Sequence, residues 1–374
     1  MRFIREHLFY VILMAATLVV GIVAVGYYLT SDVGKRLASR TRVSKSLVDL
    51  SRRKNKVSEK TIEDLQSRID ALVRAAEKDA EESVAFNKQN LGLIKLNVGA
   101  AVPRDAWPFD EKLYNDLGLH FVFIKEYTRA LNEMLAQPPL KRTRMATRDE
   151  LQQEEIRLRE QFKEKARAQA ALSMQVKKAK QGMIFIEDDA VDRVFTNETK
   201  ARPPRLWEAQ VNLWVTQEIL QAIIATNQEV SDERVKAGVG SAETNVLNSA
   251  IKRLVRINVN ESFVGGLTAM GFGGGKKVDG LTGRTSTQDY AVIRYRFTVV
   301  MPTRHVERLL RNLMMRNYHT VVNLEIGQIG QQKTHYYGTE PVMMVGVHAE
   351  MLLLTKWVRP LMPPEVQARL PATR

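Results

Sequence analysis

Apolar positions change their rhythm four times along this chain, and each change marks a structural boundary. Residues 8–29 are uninterrupted by charge, a Leu, Val, Ile, Ala, Gly, Phe, Met and Tyr run with a single Thr, Thr17. At about 1.5 Å per residue such a helix spans about 33 Å, enough to cross a hydrocarbon core of roughly 30 Å. Tyr10, Tyr27 and Tyr28 stand near its ends, where aromatic rings favour the membrane interface. The pattern predicts an uncleaved single-span anchor, 1–31; Val25-Gly26-Tyr27-Tyr28 is a poor exit for a signal peptide.

From 32 to 92 the period is helical. Ile62, Leu65, Ile69, Leu72 and Ala76 recur in steps of three and four with charged residues between them, the a/d seam of a coiled coil. This stretch is expected to be a stalk, with these five side chains as its interface. The earlier part, through Leu37, Leu47 and Leu50, is less regular and basic. Residues 93–205 form a helical insertion. Helical pattern runs from 110 to 136, stopped by Pro138-Pro139, and again from 147 to about 181, opened by a Thr147/Glu150 capping box. The second helix is so polar that a solvated face or one arm of a helical hairpin is expected. An apolar run at 183–186 leads into Glu187, Asp188, Asp189 and Asp192. These lack the turn glycine and spaced glutamate of a calcium loop, and an acidic helix start is expected instead. A helix from 206 to about 230 follows, with Trp207 and Trp214 seven residues apart on its apolar side, a core spacing.

The last part alternates with period two. A short helix is expected over 244–253, strands over 254–263, 290–301, 318–329 and 342–354, and a helix opened by Pro302-Thr303. Helix-strand-strand occurs twice. Two such units give a four-stranded antiparallel sheet with both helices on one face, an α+β domain over 206–360 followed by a tail, 361–374.

The formal charge of +14 admits nucleic acid or anionic lipid as partners. The basic residues are dispersed among acids, with no zinc-finger spacing or aromatic RNP-type stretch, which disfavours nucleic acid. Cysteine is absent, excluding disulfides, thiol catalysis and Cys-ligated zinc. No histidine pair has HExxH spacing, and there is no GxSxG turn. The glycine run at 271–275, followed by Lys276-Lys277, lacks the early Gly and late Ser or Thr of a phosphate loop and is expected to be a hairpin loop. His348 is expected inside the last strand, and Glu325 and Glu350 in strands close enough to approach each other, each more naturally paired with Arg or Lys. No catalytic, metal or cofactor-binding set emerges, and a non-enzymatic protein is expected.

The anchor 8–29, the seam 62–76 and the segment VIRYRFTVVMPTRHVERLLRNLMMRNYHTVVNLEIGQI (292–329) together resemble the inner-membrane assembly-platform proteins of type IV pilus and type II secretion machines, the PilO and GspM families. The resemblance covers the architecture of the two ends. It implies a circularly permuted ferredoxin-like (αββαββ) domain and a periplasmic location. It also implies pairing as a homodimer or with a related single-span protein, among other platform subunits. The insertion 93–205 departs from that pattern. Arg2 and Arg5 precede the anchor, whereas Lys35, Arg36, Arg40, Arg42 and Lys45 follow it, so the positive-inside count places the main domain in the cytoplasm. That count motivates the alternative of a membrane-tethered module whose basic segment binds anionic lipid or nucleic acid. The expectation adopted is the periplasmic one.

Overall fold

A computed structural model describes residues 59–94, 96, 107–109, 116–196, 198, 201–238, 244–259, 282, 284, 286–329 and 335–368, together with Thr17, Leu18, Arg42 and Lys45. Apart from these four residues, the expected anchor and early stalk lie outside the described residues, as does the glycine run. Among the described residues no helix is long and apolar enough to cross a membrane. The chain divides into two compact units, Met1–Glu77 and Lys78–Arg374.

Helix α1 (Glu59–Lys88) begins in the first unit and ends in the second. The remaining elements belong to the second. Helix α2 (Leu117–Leu135) starts at Asp116, whose carboxylate accepts the Gly118 N–H at 2.8 Å. Strand β1 (Arg142–Thr143) precedes α3 (Arg148–Phe162) and α4 (Ala166–Gln181), and β2 (Ile184–Ile186) follows them. The Thr147/Glu150 capping box forms as the sequence predicts. The expected continuous helix does not: Lys163 adopts φ 44°, ψ −118°, and the chain reverses there. Both arms of the hairpin thus come from one polar stretch. Lys178 reaches Glu150 at 2.6 Å and Ser173 reaches Glu154 at 3.1 Å, and Leu158, Ala166 and Ala170 are buried between the arms.

Helix α5 (Pro203–Lys236) opens with two prolines, which suit the first helical positions because no partner is lost there. It is buried on most of its circumference, Trp207 and Trp214 completely. The two rings meet edge-on at 5.6 Å, and Trp214 contacts Trp357 at the same centroid distance. The tryptophans are core, as their spacing predicts. Beyond α5 come β3 (Arg253–Val259), β4 (Tyr290–Met301), α6 (Val306–Met314), β5 (His319–Gln328) and β6 (Met343–Leu354), then single turns α7 (Thr355–Val358) and α8 (Pro364–Gln367).

The sheet order is β1-β2-β3-β4-β6-β5. Strands β3, β4, β6 and β5 pair antiparallel and α6 precedes β5, as expected, but the helix that precedes β3 is the long α5 and not the short one expected over 244–253. The sheet has six strands, not four, because the insertion adds β2 parallel to β3 and β1 parallel to β2. The apolar run at 183–186 is this buried strand; its length of three residues and fully buried pattern hid its type. The short helix expected over 244–253 is absent. Asn245 Oδ1 accepts the Leu247 N–H at 3.0 Å and Asn248 Oδ1 accepts the Asn245 N–H at 2.7 Å, so side-chain acceptors hold turns where a helix would start. On β4, Ala291, Ile293, Tyr295, Phe297, Val299 and Met301 share one core with α5 and α6, and the intervening Arg294, Arg296 and Thr298 occupy the opposite face.

Gly182, between α4 and β2, is a point of close approach. A Cβ there lies 2.5 Å from the Lys141 carbonyl oxygen and 2.8 Å from Thr143 Cβ, both backbone-bound. Gly182→Ala is expected to push β1 from β2 and to lower stability by about 1–3 kcal/mol, read as a reduced urea midpoint. An unchanged midpoint is the contrary result.

Candidate interaction site

The exposed part of α1 is where the sequence seam lies. Ile62, Leu65, Ile69 and Leu72 are 56%, 52%, 52% and 69% exposed, and Ala76 is exposed as well. They follow one another at three- and four-residue steps, so they form one stripe on one side of the helix. Charged side chains, among them Glu63, Asp64, Arg68 and Arg74, occupy other positions and are exposed too. An exposed apolar stripe of this kind is the surface a second helix would bury.

The other end of α1 is fixed by one polar residue. Asn87 is fully buried, and every hydrogen-bonding group of its side chain is used. Its Nδ2 donates to Asn317 Oδ1 and to the Leu352 carbonyl, both at 2.7 Å. Its Oδ1 accepts the Leu354 N–H at 2.8 Å and the Trp357 Nε1–H at 2.7 Å. Asn317 Nδ2 donates back to the Asn87 carbonyl at 3.0 Å, and Phe86 meets Tyr318 edge-on at 5.0 Å. One side chain therefore ties α1 to the α6–β5 connection, the end of β6 and α7. Sequence reasoning missed it, because an Asn amid a polar helix has no periodic signature.

Among the described residues, Glu350, Glu325, Asp188 and Asp192, acids that the sequence singles out, sit in ion pairs and hydrogen bonds. Glu350 is buried and accepts from Arg294 at 3.2 Å and from Thr282. Glu325 accepts from Arg296 at 2.7 Å, and His348 Nε2 lies 3.2 Å from it. The two glutamates oppose different residues of the sheet, Glu325 beside Gly346 and Glu350 beside Thr320, and each takes its own arginine. The acidic stretch is not a helix start: Asp188 pairs with Arg142 and Arg144, Glu187 accepts the Met145 N–H, and Asp192 pairs with Arg256. The Arg142 hydrogen bond holds the Asp188 carboxyl below its ordinary range. These acids tie the segment that leaves β2 to the β1 end of the chain's sheet and to β3. Among the described residues no group of three His, Asp or Glu can hold a metal ion.

Two buried groups stand out. His319 accepts or donates at Nδ1 to the Tyr295 hydroxyl, 2.8 Å away, while Glu218, also buried, pairs with Arg316 at 3.2 Å and lies 3.9 Å from His319 Nε2. Burial pushes His319 down and Tyr295 well up. Lys252 is fully buried, donates to the Leu247 carbonyl at 2.8 Å, and is pushed down to about 8, chiefly by burial. Among the described strands β5 lies at the sheet edge with β6 as its one neighbour, and Glu325, Ile326, Gly327 and Gln328 are exposed there.

No family model and no curated protein matches this chain. Two crystal structures of proteins from Akkermansia muciniphila are similar to it. One covers 62% of this chain and 92% of its own at 10% identity and a TM-score of 0.28. The other, a core domain, covers 60% and 96% at 11% identity and a TM-score of 0.28. At these values neither carries an argument about function.

Proposed function

We propose that this protein is a non-enzymatic structural component of a membrane-anchored envelope machine of the pilus or secretion assembly-platform type, working by pairing of its helical stalk and its sheet domain. One observation carries the reading: the stripe Ile62, Leu65, Ile69, Leu72 and Ala76 is solvent-exposed along α1. Burying two such stripes against each other removes apolar area from water at about 25 cal/mol per Å². Isoleucine at the a positions 62 and 69, with leucine at the d positions 65 and 72, favours a parallel two-stranded pair. The partner is a second copy or a related single-span protein. The order β3-β4-β6-β5 with α5 and α6 supports a circularly permuted ferredoxin-like domain, carrying two extra strands from the insertion. The outer edge of β5 offers main-chain groups for a further contact. The apolar run 8–29 supports a single-pass inner-membrane location; the periplasmic side for the main domain follows from the resemblance, against the positive-inside count.

Substituting both Leu65 and Ile69 by Glu is expected to weaken self-association of the purified full-length chain at least about tenfold while leaving its thermal transition unchanged, because like charges replace buried apolar contacts. Sedimentation analysis reads both species. Association as tight as wild type removes the coiled-coil reading. A reporter active only outside the cytoplasm, fused after Arg374, is expected to be active; silence there overturns the envelope assignment.

A further inference from the structure

Beside the second-unit part of α1 runs an open groove of about 670 Å³, walled by Ala80, Ser83 and Val84 on the helix and by Leu354, Lys356 and Arg359 on the chain that leaves β6. Three observations bear on what fills it. Lys356 and Arg359 are exposed on its rim, and neither has an ion pair among the described residues. On the neighbouring turn of α1, Asp79, Glu81 and Glu82 are exposed; the nearest cation to any of them is Lys78, 3.7 Å from Glu82 across a solvent-facing turn. Gln288, also on the groove wall, has a buried Oε1 with no hydrogen-bond partner.

The groove wall also carries one exposed carboxylate, Asp289, which the two cations outnumber, so an acidic turn and a net basic rim on one surface are self-complementary. A two-fold related copy brings the acids of each chain to the bases of the other, which is the condition for an isologous contact. Continuing the heptad count from the seam, Ser83 follows Ala76 as the next a position, and Asp79 and Glu82 fall at d and g. A seam that turned acidic at d would repel a like helix, unless cations from outside the helix met it. Lys356 and Arg359 are such cations.

We infer that the groove seats the Asp79–Glu82 turn of a second copy of this chain, with Lys356 and Arg359 of each copy facing the acids of the other. This deepens the stalk-pairing reading and rests on it: it selects a second copy over a related chain, in parallel register. The charge pairs are partly exposed, so they contribute more to register and partner choice than to affinity.

The natural chain has no cysteine, so inter-copy proximity is directly testable. Two full-length single-cysteine variants, Asp79→Cys and Arg359→Cys, are mixed, oxidised and resolved by size without reductant, one copy carrying a tag. The mixed disulfide dimer is expected to exceed at least about fivefold that of a control pairing Asp79→Cys with Glu164→Cys on the hairpin turn; equal yields overturn the inference. In parallel, Lys356→Glu/Arg359→Glu is expected to weaken self-association about tenfold, and adding Asp79→Lys/Glu82→Lys to the same chain to restore it within about threefold. Failure of restoration also overturns it. If the Leu65→Glu/Ile69→Glu chain still associates as wild type, the stalk reading has failed; if it dissociates while the rim reversal and the cross-link show nothing, only the groove assignment has failed. Binding of the wild-type chain to anionic vesicles that the rim reversal abolishes, with no cross-link, overturns the inference and assigns the rim to lipid headgroups instead.

Discussion

Asn87→Leu is expected to destabilise the second unit by about 4 kcal/mol, the largest effect of any single polar substitution described. Leucine matches the volume and helix propensity, so the loss is one of hydrogen bonds and not of packing. It strands the Leu354 N–H, the Leu352 carbonyl and the Trp357 indole N–H, all of which turn to the Asn87 side chain; Asn317 loses one donor but keeps the Tyr318 N–H and the Asn87 carbonyl. Each buried unpaired group costs about 1–3 kcal/mol, and partial access to water near Trp357 brings the sum below the simple total. Urea denaturation reads the cost. Hydrogen exchange separates undocking from global loss: amides of residues 80–88 are expected to lose protection in the variant under native conditions, while those of the α3–α4 hairpin do not. A double cycle with Trp357→Phe, which removes one of the stranded donors, is expected to give a coupling of at least about 1 kcal/mol. Additivity, with unchanged exchange over 80–88, rules out Asn87 as the tie.

Why this residue stayed hidden while the strands did not is a matter of range. Val255, Ile257 and Val259 alternate with polar neighbours, and β4 repeats apolar residues at every second position from Ala291 to Met301. These local patterns place β3 to β6 and α6 within a residue or two of where they are found, apart from β3, which is described only to Val259. The stripe at 62–76 is legible for the same reason, and Ile62, Leu65, Ile69 and Leu72 are exposed. Asn87 acts through partners 230 residues and more away in sequence, Asn317 and beyond. β2 acts likewise: Ile184-Phe185-Ile186 is too short to declare a period, and its parallel pairing with β3 is a tertiary fact. The break at Lys163 is similar. The composition of 147–181 is uniformly helical, and the reversal is driven by the burial of Leu158 against Ala166 and Ala170 together with the Glu150–Lys178 tie. The groove beside α1 combines the α1 turn with residues around 288 and 354–367, and no single segment announces it. The acids at 187–192 were legible as a cluster but not as ties, because their arginines come from β1 and β3.

The second large effect is a dependence on alkaline pH carried by Lys252. Its ammonium is buried, with the Leu247 carbonyl as its acceptor, and its folded pKa is about 8 against an ordinary 10.5. Glu340 raises it while Arg234 and Arg304 lower it further, but burial dominates. The sign follows from proton binding. Below pH 8 the lysine is charged in both folded and unfolded chains, and the fold carries the full cost of a buried charge. Between 8 and 10.5 the unfolded chain binds a proton that the folded chain has released, so stability rises with pH; above 10.5 the gain is complete. A difference of about 2.5 pKa units corresponds to about 3 kcal/mol. Other groups titrate in this range, so the measured quantity is the difference between wild type and Lys252→Met, which keeps the apolar stem and removes the charge. Near neutrality Lys252→Met is expected to be as stable as wild type or more so, the lost hydrogen bond of about 1 kcal/mol being outweighed by the relieved desolvation. As pH rises from 8 to 10.5 wild type should gain on the variant and overtake it, because the neutral amine still donates to Leu247 and methionine does not. Parallel stability curves over that interval would mean that the ammonium reaches water in the folded state, and that its place in the core is held by the stem alone.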